Sequence, residues 1–331
     1  MRIAQLGAGR IGVMHAELLA GLIGSDDQLV IADAAPERAT EVAARLGVAS
    51  ASIEEVTATA DAMVIAASST AHAELIRAGL ARALPIFCEK PLATGLDATR
   101  QLVEEIEAAG VPFQLGFQRR FDAAYTEARR LVQSGELGRL YVVRMAGHDP
   151  EPPHESYIPA SGGIFNDFSV HDFDVLRWLT GQEVDEVYAD GAVLGFEVFA
   201  KYGDVDTAVA TLRLTDGTLG VLTTSRHDPL GYDIRTELFG SGDSISVGLG
   251  PHTPMRSVEP GVSPPAGPAW RMFIDRFRDA YRAELRAFLG VARGHMVSAC
   301  TARDGLEAVR VAVAAKRSLE EHRPVKLAEV A

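Results

Sequence analysis

Cysteine is nearly absent. Cys88 and Cys300 are the only two in 331 residues, they stand far apart, and neither sits in a metal-type spacing, so both read as small buried apolar side chains. Basic residues are in deficit, 32 Lys and Arg against 45 Asp and Glu, and the net charge of −13 offers no attraction to phosphodiester backbones or anionic lipid. No apolar run approaches the roughly 20 residues of a membrane-spanning helix. The first residues, Arg2 to Leu6, are strand-like, leaving no charged and apolar leader before them, so a cytoplasmic location is expected. There is no internal repeat and no long biased tract, so the chain is expected to fold throughout. These absences exclude nucleic acid and membrane as expected partners and leave a small molecule.

What is present is a globular composition, 47% hydrophobic, in a chain too long for one core. Short apolar runs at Ile3–Leu6, Leu29–Ala32, Ala62–Ala66, Pro85–Cys88 and Phe113–Leu115 alternate with helical patterns near Ile11–Leu22, Glu37–Leu46, Ala71–Ala81 and Ala98–Ala108. Buried strands separated by helices predict a doubly wound parallel α/β sheet over residues 1–118. From 119 to 331 the pattern changes. A helix through Tyr125–Val132 and a strand at Leu140–Ala146 precede a Pro-rich loop, Asp149–Pro159, and a helix at Ile164–Leu179. Strand-like runs follow at Glu186–Ala189, Asp206–Leu214, Leu219–Ser225, Ile234–Phe239 and Ser244–Val247, with Asp216-Gly217 as a hairpin signal. After an irregular stretch at Gly261–Pro268 come two helical segments, Trp270–Gly290 and Thr301–Glu320. This second domain is expected to be α+β with a large, mostly antiparallel open sheet.

Gly7-Ala8-Gly9-Arg10-Ile11-Gly12 follows the first strand and opens a helix, the context in which a GxGxxG run binds a dinucleotide. Gly7 permits the tight turn, Gly9 lets a pyrophosphate approach the backbone, Gly12 allows close packing, and the helix start presents N–H groups to the anion. Asp33 ends the second strand, where a carboxylate accepts the adenosine ribose hydroxyls and repels a 2′-phosphate. NAD is therefore expected over NADP, with Arg38 nearby as the feature that weakens the distinction. A turn former before Ala34-Ala35-Pro36 is the other reading of Asp33.

Glu89-Lys90-Pro91 follows a strand, so Lys90 is expected at the carboxyl edge of the sheet, with Pro91 restricting its backbone. In Gly162-Gly163-Ile164-Phe165-Asn166-Asp167-Phe168-Ser169-Val170-His171, Asp167 and His171 are four apart on a predicted helix and share a face. A carboxylate and an imidazole together with a lysine suit proton removal from an alcohol: His171 as base, Lys90 polarising or relaying, Asp167 orienting substrate. Taken singly, Asp167 reads equally as a helix N-terminal charge and His171 as an ordinary helix residue. His148, Asp149, His154, Asp167, His171 and Asp172 are all possible metal ligands, but they form no compact signature and no metal is expected.

With these motifs in place, the chain resembles the Gfo/Idh/MocA oxidoreductases, on Gly7 to Gly12, Glu89-Lys90-Pro91 and Asp167-x3-His171. Within that family it is most similar to the inositol 2-dehydrogenases. The likeness lies in Asp149-Pro150 through Pro153, Tyr157, Ser161 to Phe165, His171-Asp172-Phe173-Asp174, Gly231-Tyr232-Asp233, and Arg276-Phe277 through Ala280-Tyr281 with Glu284-Leu285. Gly147-His148, where similar enzymes tend to carry Ser-Arg, and His227-Asp228-Pro229 are departures beside the expected substrate pocket. The resemblance implies a Rossmann domain, an open sheet that mediates tetramers, and NAD-dependent oxidation of a polyol ring hydroxyl, myo-inositol to 2-keto-myo-inositol. It implies Lys90, Asp167 and His171 as the catalytic group. The expected cofactor-binding set is Gly7, Gly9, Arg10, Ile11, Gly12, Asp33, Arg38, Ser68, His72, Glu89 and Lys90. The expected substrate-binding set is Lys90, Asp149, Asn166, Asp167, His171 and Tyr232. Another inositol isomer or a pyranose is the nearest alternative substrate. A non-catalytic NAD-binding regulator, or a hydrolase with NAD as a redox intermediary, is the alternative class.

Overall fold

A computed structural model describes residues 1–330, which cluster into two compact units. The first comprises Met1–Phe121 and Asp279–Leu306. Its elements run β1 (Arg2–Leu6), α1 (Arg10–Ala20), β2 (Gln28–Ala32), α2 (Pro36–Leu46), β3 (Ala49–Ser50), α3 (Ile53–Thr59), β4 (Ala62–Ile65), α4 (His72–Leu80), β5 (Ile86–Glu89), α5 (Leu96–Ala109) and β6 (Phe113–Gly116). The strands form one parallel sheet in the order β3-β2-β1-β4-β5-β6. That is the doubly wound order, with its switch point between β1 and β4, where ligands bind at the carboxyl ends of the strands. Ile3, Leu6, Ile31, Val64, Phe87 and Cys88 are sealed from solvent by the covering helices. Each such large aliphatic or aromatic side chain contributes roughly 1.5–3 kcal/mol by leaving water.

Of the described residues, the second unit comprises Asp122–Arg278 and 307–330. It contains α6 (Ala123–Gln133), β7 (Leu140–His148), α7 (Ile158–Ser161), a π turn (Phe165–Ser169) running into α8 (Val170–Thr180), β8 (Val184–Ala192), α9 (Val198–Lys201), β9 (Thr207–Leu214), β10 (Leu219–Ser225), β11 (Asp233–Gly240) and β12 (Ser244–Val247). Helices α10 (Phe273–Ala292) and α11 (Ala302–Glu321) each pass from one unit's residues to the other's, and β13 (Val325–Lys326) closes the sequence of elements. The seven-stranded sheet has the order β12-β11-β7-β10-β9-β8-β13, antiparallel except where β10 runs parallel to β7. Asp216 and Gly217 form the expected β9–β10 turn, with Gly217 at φ +87° and Asp216 accepting from the Thr218 N–H at 2.9 Å. One face of this sheet packs on helices. At Gly147 a Cβ would lie 3.0 Å from the Phe168 ring, and at Gly220 3.2 Å from Leu176, so small residues let the segment carrying Asp167 and His171 lie close on the strands. The opposite face leaves Tyr188, Val209 and Leu219 exposed.

Three features depart from the sequence reading. Residues 279–306, expected in the second domain, cluster with the first unit, because α10 and the start of α11 carry apolar residues such as Leu285 and Phe288 into its core. The short β3, α3, α9 and β13 were not expected, since segments of two to seven residues are too brief for a periodic signal. The segment expected as one helix from Ile164 begins as a π turn. Phe165, Phe168 and Ser169 are buried across that widened turn, while Asn166 and Asp167 remain half-buried.

Candidate active site

In the first unit the glycine turn has the geometry its spacing predicts. Gly7 adopts φ +104°, and a Cβ there would collide with the Ala66 carbonyl, while one on Gly12 would collide with the carbonyl of Gly7. Gly9 is different: a Cβ would meet nothing within 4 Å. Two glycines are thus required by the protein's own packing, and the third faces open space at the N-terminus of α1, where Gly9 is the N-cap. Arg10 is exposed and Ile11 half-buried in the first turn. This cradle fits the pyrophosphate of a dinucleotide.

Asp33 holds that turn. Its Oδ2 accepts the Ala8 N–H at 2.7 Å and its Oδ1 the Ala35 N–H at 2.8 Å. The turn-forming reading of Asp33 has its contacts here, and the side chain stands half-buried beside the glycine loop. Ala8, Val13, Arg38, Glu41, Val42 and Arg45 line a depression between the first turn of α1 and the length of α2, which places Arg38 near the loop that Asp33 organises.

Lys90 follows β5 directly, is half-buried, and precedes Pro91 through a cis peptide bond. Its neighbours are fixed from behind. Glu89 Oε1 lies 2.6 Å from His15 Nε2 of α1, a residue fully enclosed between the rings of Phe87 and Tyr281. Close by, Glu284 on α10 is completely buried, and neither carboxyl oxygen has a hydrogen-bond partner. Burial first, and the charge of Glu89 second, push the Glu284 carboxyl well above the ordinary carboxylate range. His15 was not anticipated, since no local pattern marks a polar residue whose partner is 74 positions away, and Glu284 was named only for the family likeness, without a role.

Two other expected cofactor residues make contacts within the protein. His72 is 1% exposed, with Nδ1 2.7 Å from the Pro91 carbonyl and Nε2 3.2 Å from that of Ala67, so the N–H of either tautomer has a backbone carbonyl to donate to. Glu89 likewise spends one oxygen on His15. Ser68 is exposed just beyond β4, its hydroxyl 3.2 Å from that of Thr70.

In the second unit Asp167 is gripped on both oxygens. Tyr157 donates its hydroxyl to Oδ1 at 2.8 Å, and Arg226 Nη1 donates to Oδ2 at 2.9 Å. The same Nη1 lies 3.5 Å from Asp149 Oδ2. Arg226 is 2% exposed and was missed by the sequence reading, although it has the same parity as the buried Leu222 and Thr224 of β10 and so points to the helix-covered face. Burial works against its charge, but Asp167 and Asp149, with Asp204 beyond, outweigh burial and hold its pKa above the ordinary arginine value. Removing one partner of a buried ion pair costs about 3–5 kcal/mol, because the other charge is stranded. His171 follows in the first turn of α8 and is half-buried.

The remaining expected substrate residues are placed less openly. Asn166 turns its amide back onto the Gly162 carbonyl at 3.3 Å. Tyr232 is 6% exposed, its ring edge-on to Phe277. Of the possible metal ligands, His154 caps the turn at Glu155–Tyr157 by accepting the Ser156 N–H. The one close His/Asp group among the described residues is His148, Asp228 and Asp233, and Asp233 already accepts both arms of the Arg235 guanidinium at 2.8 Å.

Known proteins match both parts of the chain in sequence and in fold. Residues 1–117 match the oxidoreductase family with an NAD-binding Rossmann fold, and residues 125–246 match the GFO/IDH/MocA C-terminal domain. A myo-inositol dehydrogenase of Streptomyces leeuwenhoekii is 42% identical over 96% of this chain and 97% of its own. A myo-inositol 2-dehydrogenase of Thermotoga maritima is 40% identical over 100% of this chain and 99% of its own. Among solved structures, the scyllo-inositol dehydrogenase of Lactobacillus casei with bound NAD(H) and scyllo-inositol superposes with a TM-score of 0.88 at 30% identity, covering 99% of both chains.

Proposed function

The chain belongs to the GFO/IDH/MocA oxidoreductase family, and on that premise we propose that it oxidises a ring hydroxyl of a neutral polyol, myo-inositol to 2-keto-myo-inositol, with NAD as hydride acceptor. The observation that carries this reading is the fixed Asp167 carboxylate one helical step before His171. Such an acceptor orients a hydroxyl, which is what an uncharged polyol presents.

NAD supplies the acceptor for the hydride that leaves the carbinol carbon. Gly7, Gly9 and Gly12 would hold its pyrophosphate and Asp33 its ribose. The protein's own residues handle the proton: His171 takes it from the substrate hydroxyl, Lys90 polarises the same oxygen or relays the proton, and Asp167 sets the ring's orientation. The balance is polyol plus NAD⁺ giving ketone, NADH and one proton. The likeness to a scyllo-inositol dehydrogenase supports a second substrate reading, the scyllo isomer, by the same chemistry.

Absorbance of NADH with NAD⁺ or NADP⁺ and a panel of inositol isomers and aldopyranoses at alkaline pH tests this directly. NADH formation with myo-inositol is the expected result. A response to pyranoses alone would change the substrate, and tight NADH binding without any polyol oxidation would overturn the dehydrogenase reading in favour of a regulator or a redox-neutral hydrolase.

A further inference from the structure

Arg226 joins two residues expected to touch substrate, yet nothing in its sequence context marks it. Its Nη1 alone reaches Asp167 at 2.9 Å and Asp149 at 3.5 Å, and its guanidinium lies over the Phe168 ring at 5.8 Å. Its Nε and Nη2 are buried and have no hydrogen-bond partner. A buried cation with two unspent donors is a poor device for stability alone, since each unsatisfied group keeps its desolvation cost. Such exceptions to local satisfaction concentrate at functional sites.

Resting on the polyol dehydrogenase reading above, we propose that Arg226 is a positioning residue: it keeps Asp167 and Asp149 ionised and oriented as acceptors for substrate hydroxyls. The arrangement has a hinge-like simplicity. Asp167 stands in the π turn, and two contacts reach its carboxylate from outside that turn. Tyr157 approaches Oδ1 from the loop before α7, and Arg226 approaches Oδ2 from the end of β10. The charged and titratable groups in this surround are Arg226, Tyr157, Asp149, Asp204, whose Oδ1 accepts the Ile164 N–H at 3.1 Å, and His171 on the following turn. Arg226 sets a positive charge against three aspartates, Asp167, Asp149 and Asp204. A carboxylate deprived of it protonates more readily, and a protonated Asp167 offers a donor where an acceptor is required.

The test compares Arg226→Gln, Arg226→Lys and Tyr157→Phe in the full chain, alone and with Asp167→Asn. Carbon-13 carboxyl resonances report the Asp167 titration, the Asp167→Asn spectrum assigning the signal, and steady-state kinetics report kcat and KM. Arg226→Gln is expected to move the Asp167 titration upward and to lower kcat/KM by roughly tenfold in the native background, with little further loss once Asp167 is Asn, because the two residues act as one unit. Arg226→Lys is expected to restore the titration and only part of the rate. An unmoved titration in a folded Arg226→Gln protein, or an equal loss in both backgrounds, overturns the proposal. Should Arg226→Gln not fold, Arg226→Lys and Tyr157→Phe decide by the same cycle. A native protein inert toward every polyol would sink the functional reading, while the titration would still decide the role of Arg226.

Discussion

Asp33 and Ala8 are joined by a 2.7 Å hydrogen bond that ties the end of β2 to the glycine turn after β1. The residue expected to read the ribose thus also shapes the loop beneath the pyrophosphate. Asp33→Ser removes a negative charge and this brace together. It should lower the ratio of kcat/KM for NAD over NADP about tenfold and also weaken NADH binding, measured by fluorescence titration. An unchanged coenzyme ratio would remove Asp33 from coenzyme selection.

The three glycines should separate in their responses. Gly12→Ala must push a methyl group into the Gly7 carbonyl, so a lower Tm is expected. Gly9→Ala meets no protein atom, so its Tm should stay near native while NADH affinity falls. Equal melting losses in both variants would show that the open space at Gly9 is not a ligand cradle.

Lys90→Ala and His171→Ala should each lower kcat about 10²-fold or more with NADH binding retained, the usual contribution of a general acid or base. Near-native turnover in either variant excludes that residue from proton transfer.

Glu284 predicts a stability signature with a definite sign. Burial pushes its carboxyl well above the ordinary carboxylate range, so folding carries no ionisation penalty below that range, where the unfolded chain is protonated too. Above that range the unfolded chain ionises freely and the folded one cannot, and stability is progressively lost toward the raised folded value. Glu284→Gln should therefore raise Tm at pH 8 and change it little near pH 4, by calorimetry across pH. A Tm difference independent of pH would mean that Glu284 is not held neutral.

The outward face of the second unit's sheet carries Val209 at 49%, Leu219 at 42% and Tyr188 at 41% exposure. We propose it as a surface for self-association into a tetramer. Val209→Asp should shift sedimentation toward smaller species, and a native protein that sediments as a monomer would dismiss the assembly. No helix among the described residues is long and apolar enough to cross a membrane.

Much of the fold was legible because its signals are local. The five long strands of the parallel sheet are short apolar runs, and the turn after β1 shows its glycines in order; the GxGxxG context led to a backbone in which Gly7 and Gly12 have no alternative. The mostly antiparallel sheet followed from alternation, as in β9, where Ala208, Ala210 and Leu212 are buried between exposed neighbours. The candidate site was legible only in part. His72, expected among the coenzyme residues, is buried beside the carbonyls of Ala67 and Pro91, surroundings that no local pattern discloses.

The sequence by itself determined the order of strands and helices, the phosphate-binding turn, and the residue types at Lys90, Asp167 and His171, because periodicity, glycine sterics and side-chain chemistry act over a few neighbouring positions. Only the tertiary structure decided which polar groups serve those residues. Arg226 reaches Asp167 across 59 positions and His15 reaches Glu89 across 74, and a pairing of that kind exists only once the sheet has brought distant segments together and excluded water from between them. The same holds for residues 279–306, whose helical periodicity was plain but whose membership of the first unit was set by the core their apolar side chains complete.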